Sequence, residues 1–316
     1  MATQFEINYS IMAGRAYETN RNQNNWFPVP DGWTEFFHVP NDTYPTSSGF
    51  EAVSFTNGSE IVISFAGTDF KSTDDIAADI GLAMGWGSTQ LLQAAAYYME
   101  VKAANRGAEI TFTGHSLGGG LAALMGVFFN EKAVTFDQAP FFASATERIR
   151  DGIKNYLLSL KDQYGQSLYT LENIQAIAPE LLSFADSSRD ARAGNVRGYY
   201  VQGEALTNYP YNGFLRIGSQ VSLTHGPTDT KPWDLHSQAL LAAFVLNDDF
   251  RLVTNKLTDL LEMIFDKKLY SKPTNKGDEN LLDRLVRHQV GNAPGVTEAD
   301  NMLTRFTDDL KKIAQE

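Results

Sequence analysis

The sequence contains no cysteine. That excludes disulfides, thiolate metal sites and a cysteine nucleophile together. Positive charge is scarce beside negative, 26 Lys and Arg against 38 Asp and Glu, for a formal net charge of -12. Such a surface repels phosphate backbones and anionic membranes, so nucleic acid is not an expected partner. Long apolar runs are also missing. The longest, near residues 121–129 and 240–246, fall well short of the roughly 20 residues a membrane-spanning helix needs. The first ten residues, MATQFEINYS, lack a basic stretch followed by an apolar one, so no cleaved signal peptide is expected. Cytoplasmic residence and export by a signal-independent route both stay open.

What is present reads as a soluble globular chain of 316 residues, 43% hydrophobic and 20% charged, long enough to bury a full core. Residues 1–20 have a helical pattern, and residues 25–48 read as a loop rich in Pro, Gly, Asn and aromatics. Two strand-like runs, FEAVSFT and EIVISFAG, flank Asn57-Gly58, a strong hairpin signal. A helical stretch around 91–105 precedes the strand EITFT, a glycine turn, a helix from about Leu117 and the strand AVTFD. Strands alternating with helices predict an α/β fold with a mostly parallel sheet. Residues 141–193 read as a helical insert or cap, VRGYYVQ resumes the strands, and HSQALLAAFVL is a helix candidate. The expected organisation is a catalytic domain over 1–247 and a charged, amphipathic helical appendage over 248–316.

The stretch TFTGHSLGGGLAAL, residues 111–124, carries the chemistry. Gly114-His115-Ser116-Leu117-Gly118 has the spacing G-x-S-x-G at a strand-to-helix junction, where a serine is presented on a strained turn as a nucleophile. The flanking glycines Gly114 and Gly118 leave room for the neighbouring strand and helix, and three successive glycines in a helix otherwise weaken it. The bland alternative is a glycine-rich turn with a capping serine.

These residues resemble the class 3, fungal-type lipases of the α/β-hydrolase fold. GHSLGG matches the family's nucleophile elbow, IVISFAGT its Phe-x-Gly-Thr oxyanion turn, and DDIAADIG the segment after that turn. The resemblance covers about residues 1–247, most closely 49–140. It implies an oxyanion hole built from the backbone N–H groups of Thr68 and Leu117, with the Thr68 hydroxyl as a further donor. It also implies a lid over residues 70–87, with Ile76, Ile80, Leu82, Met84 and Trp86 over an acyl groove; a helix packed on the sheet accounts for that stretch equally well. Phe141, Phe142 and Trp233 are candidate groove walls.

Five histidines are available as the base. In the hydrolase order the base follows the serine, which removes His38, and His115 adjoins Ser116 on the elbow. Of the rest, His236 stands at a loop-to-helix junction, His225 lies beside Gly-Pro, and His288 sits on a tail helix. His236 is therefore the expected base. The acid should lie on a loop after a core strand. Glu204, after VRGYYVQG, has that position, although the family usually has Asp there; Asp229, Asp137 and Asp186 are alternatives. The expected protein is a serine ester hydrolase acting on fatty acyl esters such as triacylglycerols, with no cofactor and no metal. A phospholipase A1 using the same residues is the nearest rival. A non-catalytic lipid-binding protein of the same fold is the rival from another class.

Overall fold

A computed structural model describes residues 3–17, 27–40, 48–67, 89–207, 215–225 and 231–246. Its centre is a seven-stranded sheet in the order β1 to β7: Thr34–Val39, Ala52–Thr56, Glu60–Phe65, Glu109–His115, Lys132–Phe136, Val196–Val201 and Ser219–Leu223. The first three strands pair antiparallel, and β3 through β7 run parallel. The result is an α/β fold, a mostly parallel sheet with helices on both of its faces.

Among the described residues the helices are α1 (Gln4–Arg15), α2 (Thr89–Ala104), α3 (Leu117–Phe129), α4 (Glu147–Ser159), α5 (Leu171–Ile177), α6 (Pro179–Ser183), α7 (Arg189–Ala193), α8 (Pro232–Leu235) and α9 (Gln238–Leu246). Helix α1 starts at Thr3, whose hydroxyl accepts from Glu6 N while Glu6 accepts from Thr3 N. This reciprocal cap satisfies two of the N–H groups that a helix start leaves open. Helix α3 is buried along its whole length, which suits its run of Leu, Ala, Met, Val and Phe.

Strand periodicity assigns side chains to the two faces. Ile61, Ile63, Phe65, Ile110 and Phe112 point to the core shared with α2 and α3. Val62 and Ala66 join the second core with α1 and α9. Between them Ser64 donates to Met12 O of α1 at 2.9 Å. The central strands are thus buried on both faces, as parallel sheets require.

Two strands differ from the sequence reading. Residues 25–48 contain β1, and the stretch before α9 contains β7. Both are sheet edges with half-exposed patterns. β1 shifts register between Glu35 and Phe37, and β7 is the polar run SQVSL. An edge strand pairs on one side only and tolerates both features, so neither has a strong period-two apolar signal. The hairpin expected at Asn57-Gly58 is present between β2 and β3. Residues 141–193 form α4 to α7 between β5 and β6. The boundary at 247 and the appendage over 248–316 lie outside the described residues.

Candidate active site

The parallel register aligns the carboxyl ends of the central strands: Phe65 pairs with Gly114, His115 with Phe136, and Phe136 with Tyr199. In an open α/β sheet this edge is where ligands bind. Here it carries Gly67, Ser116, Asp137 and Glu204.

Ser116 occupies the turn between β4 and α3 with φ 57 and ψ -123. A non-glycine residue held there costs about 1–3 kcal/mol. Burial of a single ring such as Phe112, fully enclosed beneath the elbow strand, stabilises by about 1.5–3 kcal/mol and offsets that strain. The glycines are required by contact. A Cβ on Gly118 would lie 2.1 Å from Phe65 O, and one on Gly114 would lie 2.5 Å from the backbone of Gly118. Ser116 is the N-cap of α3, yet its side chain makes no capping hydrogen bond. Its hydroxyl points instead to His236, 120 residues away, with Oγ 2.8 Å from Nε2.

His236 lies in the turn between α8 and α9, and its Nδ1 is 2.7 Å from Glu204 Oε2. An ionised carboxylate only accepts, so Nδ1–H donates to Glu204 and Nε2 accepts from Ser116. Glu204 follows β6 on a tight turn in which Gly203 has φ +81 and Glu204 N donates to Val201 O at 3.1 Å. Its oxygens also accept from Leu206 N at 2.7 Å, from the Thr207 hydroxyl at 2.6 Å and from the Arg216 guanidinium. Burial pushes this carboxyl up, but the hydrogen bond and charge of His236, with Arg216 and Thr207, outweigh it and hold the group at about 2. The three side chains are all buried.

The other histidines and carboxylates stand elsewhere or play other parts. His225 is half-buried and donates to Gln202 O at 2.8 Å. His38 on β1 contacts Glu51. Asp186 accepts from Glu147 N, at the start of α4, at 2.7 Å. Asp137 is buried beyond β5, with Oδ1 accepting from Val201 N at 2.9 Å and Oδ2 3.7 Å from His115 Nε2. The His115 ring is not directed away from the site: its centroid is 4.8 Å from that of His236, and its Nδ1 is 3.1 Å from the Tyr17 hydroxyl. Burial and the neighbouring His236 push His115 well below the usual histidine range. Burial and the charge of Glu204 push Asp137 well above the usual carboxylate range.

Leu117 is the first residue of α3, where helix N–H groups lack internal partners. Gly67 abuts the elbow, for a Cβ there would lie 3.3 Å from Ser116 Cβ. Phe141 is buried against Gly120 in the core, and Phe142 lies under the Arg189 guanidinium. Thr68, Asp229, His288, the Trp233 side chain and the segment 70–87 lie outside the described residues. His115, Asp137 and His236 offer ligand atoms within 4.8 Å of one another. Both ring nitrogens of His236 are engaged with Ser116 and Glu204, so the donors fit hydrogen bonding better than a metal. Tyr17, Thr207 and Arg216 are parts of the site that the sequence pattern does not announce.

Residues 9–155 match the phospholipase-like family described as the Tle-like phospholipase domain. Over this stretch the chain is similar to that family. It is 31% identical over 195 residues to the extracellular phospholipase A1 of Serratia liquefaciens, covering 60% of this chain and 50% of that protein. The chain thus spans about half the length of the curated relative it matches. Among solved structures it aligns with the Lip2 lipase from Yarrowia lipolytica at 14% identity and a TM-score of 0.41, over 70% of this chain and 78% of that one. It aligns with MDLA from Penicillium cyclopium at 16% identity and a TM-score of 0.39, over 72% and 81%. Among the described residues no helix is long and apolar enough to cross a membrane.

Proposed function

We propose that the protein is a serine hydrolase of fatty acyl esters in lipids. The observation that carries this reading is the unbroken hydrogen-bond chain from Ser116 Oγ through His236 to Glu204. Ser116 attacks the ester carbonyl carbon as His236 Nε2 takes its proton. The tetrahedral intermediate collapses, His236 returns the proton to the leaving alcohol, and an acyl-serine remains. Water, activated by the same nitrogen, then releases the fatty acid. Glu204 holds the imidazole tautomer and stabilises the imidazolium. The oxyanion is met by the backbone N–H of Leu117 at the start of α3 and by Thr68 after Gly67. The reaction needs no cofactor.

Phospholipid is the favoured substrate class over triacylglycerol, and the observation that favours it is the match to the phospholipase domain family and to a phospholipase A1. The net charge of -12 disfavours anionic surfaces, so a zwitterionic phospholipid is the expected lipid.

The test compares wild type with Ser116→Ala on short and long p-nitrophenyl esters, emulsified triacylglycerol and zwitterionic phospholipid vesicles, with a fluorophosphonate to label the nucleophile. Fatty acid release and labelling lost together in the variant support the reading. Fatty acid released faster from phospholipid than from triacylglycerol supports the phospholipase assignment, and the reverse order overturns it. A wild type that neither turns over nor takes the label overturns the enzyme and leaves a lipid-binding protein.

A further inference from the structure

We propose that Arg216 is a positioning residue for the hydrolytic site: its guanidinium clamps the oxygen of Glu204 that faces away from His236 and sets the charge felt by the imidazole. The proposal rests on the hydrolase reading for its kinetic consequences, but the clamp itself is geometric. Glu204 Oε2 serves His236 and Leu206 N, while Oε1 takes the Thr207 hydroxyl and Arg216 Nη2. Four donors fill the carboxylate and leave it one orientation.

The clamp is anchored at its other end. Arg216 Nε donates to Gln138 O at 2.9 Å, and the guanidinium lies 4.7 Å from the centroid of the Tyr200 ring. Gln138 is itself held, donating to Ile217 O at 2.9 Å and Thr135 Oγ1 at 3.1 Å and accepting from Ile217 N at 3.3 Å. The arginine therefore ties the loop after β5 to the entry of β7 and presents a fixed fork to the acid between them. A lysine keeps the charge but not the fork.

The electrostatic part follows from the groups that face His236. From the elbow comes the Ser116 hydroxyl, from the end of β4 His115 backed by Tyr17, from the loop after β5 Asp137, and from the turn after β6 Glu204. Burial pushes His115 well below the usual histidine range and Asp137 well above the usual carboxylate range, which disfavours a charge on either. Glu204 and Arg216 bring opposite charges beside the imidazole, and the guanidinium offsets the carboxylate. Without Arg216 the buried carboxylate acts alone on His236 and favours the imidazolium. The base would then be protonated over a wider pH range.

The experiment uses R216Q and R216K in the full chain. In R216Q the acid limb of the kcat/KM profile moves upward by about one pH unit, and kcat on the plateau falls about tenfold with KM unchanged. R216K returns the limb to the wild-type position with only part of kcat recovered. A purely structural role lowers Tm and the fraction of enzyme that a fluorophosphonate titrates, and leaves the limb where it was; that outcome overturns the proposal. If R216Q does not fold, R216K decides: a kcat per fluorophosphonate-titrated site equal to wild type overturns the clamp, and a reduced kcat per titrated site at wild-type Tm supports it. An NMR titration of the His236 ring in Ser116→Ala, with and without R216Q, needs no turnover. A rise of about one unit there supports the clamp even if no substrate is ever cleaved, and coincident curves overturn it.

Discussion

His236 Nδ1 and Glu204 Oε2 are 2.7 Å apart, and the same carboxylate accepts three further hydrogen bonds from Leu206, Thr207 and Arg216. A carboxylate so filled orients the imidazole rather than merely neighbouring it. Replacing Glu204 by Gln keeps the shape but lets the amide favour the wrong tautomer, and on the hydrolase reading kcat falls about 10³–10⁴-fold. Asp186→Ala, which removes only the acceptor for Glu147 N at the start of α4, lowers stability by about 1 kcal/mol and leaves kcat near wild type. Steady-state kinetics and thermal melts on the two variants check this; equal losses of rate in both would take the acid role from Glu204.

Asp137 presents the opposite case, a buried carboxyl pushed above its usual range by burial and by the charge of Glu204. Because the unfolded chain releases this proton at lower pH, the folded state binds the extra proton. Stability is therefore lost as pH rises from about 4, the unfolded value, toward the raised folded value. Asp137→Asn removes that loss. Asn also tolerates the positive φ of 41 at this position and keeps an acceptor for Val201 N. The variant should melt higher than wild type at pH 8 and show little difference at pH 4; a lower Tm at pH 8 contradicts the account.

The elbow is legible in the sequence because sterics impose it: with Gly118 Cβ space taken by Phe65 O, the glycine pattern is a direct trace of backbone contact. The central strands are legible for the same kind of reason, since Ile61 to Phe65 and Ile110 to Phe112 are buried on both faces. The edge strands β1 and β7 are not, because one-sided pairing leaves Ser219, Gln220 and Ser222 free to be polar. Nor is Arg216. Its partners Glu204 and Gln138 lie 12 and 78 residues away, and an arginine has no local pattern that names a distant acid. The closeness of His115 to His236 was equally hidden, for the sequence suggests only that a residue beside the nucleophile points away.

Acid stability should carry the mark of Glu204. Its folded value of about 2 lies below the usual glutamate value of 4.5, despite burial, because His236 and Arg216 favour the charged form. The depressed value contributes stability that is present above about 4.5 and is lost as pH falls toward about 2, on the order of 3 kcal/mol. Urea titrations from pH 6 down to pH 2.5 should show a shallower decline for Glu204→Gln than for wild type. Parallel curves for the two proteins would mean that the carboxylate gains nothing from its partners on folding.

Two glycine-to-alanine changes separate contact from conformation. Gly152 lies in α4 with nothing within 4 Å of a Cβ placed on it. Alanine there restricts the unfolded chain and favours the helix, so Gly152→Ala stabilises by about 0.5–1 kcal/mol and leaves activity unchanged. At Gly118 the added carbon would meet Phe65 O at 2.1 Å and Ala66 C at 2.7 Å. Both are backbone atoms of the strand end next to the elbow, with no flexible side chain to yield. The strand end or the elbow must move, and a displacement of about 1 Å at a reacting group costs roughly 10²-fold in rate. Gly118→Ala should therefore either fail to fold or fold with a fluorophosphonate labelling rate at Ser116 reduced by at least about 10²-fold. A soluble Gly118→Ala protein that labels at the wild-type rate would show that the elbow has slack its packing denies.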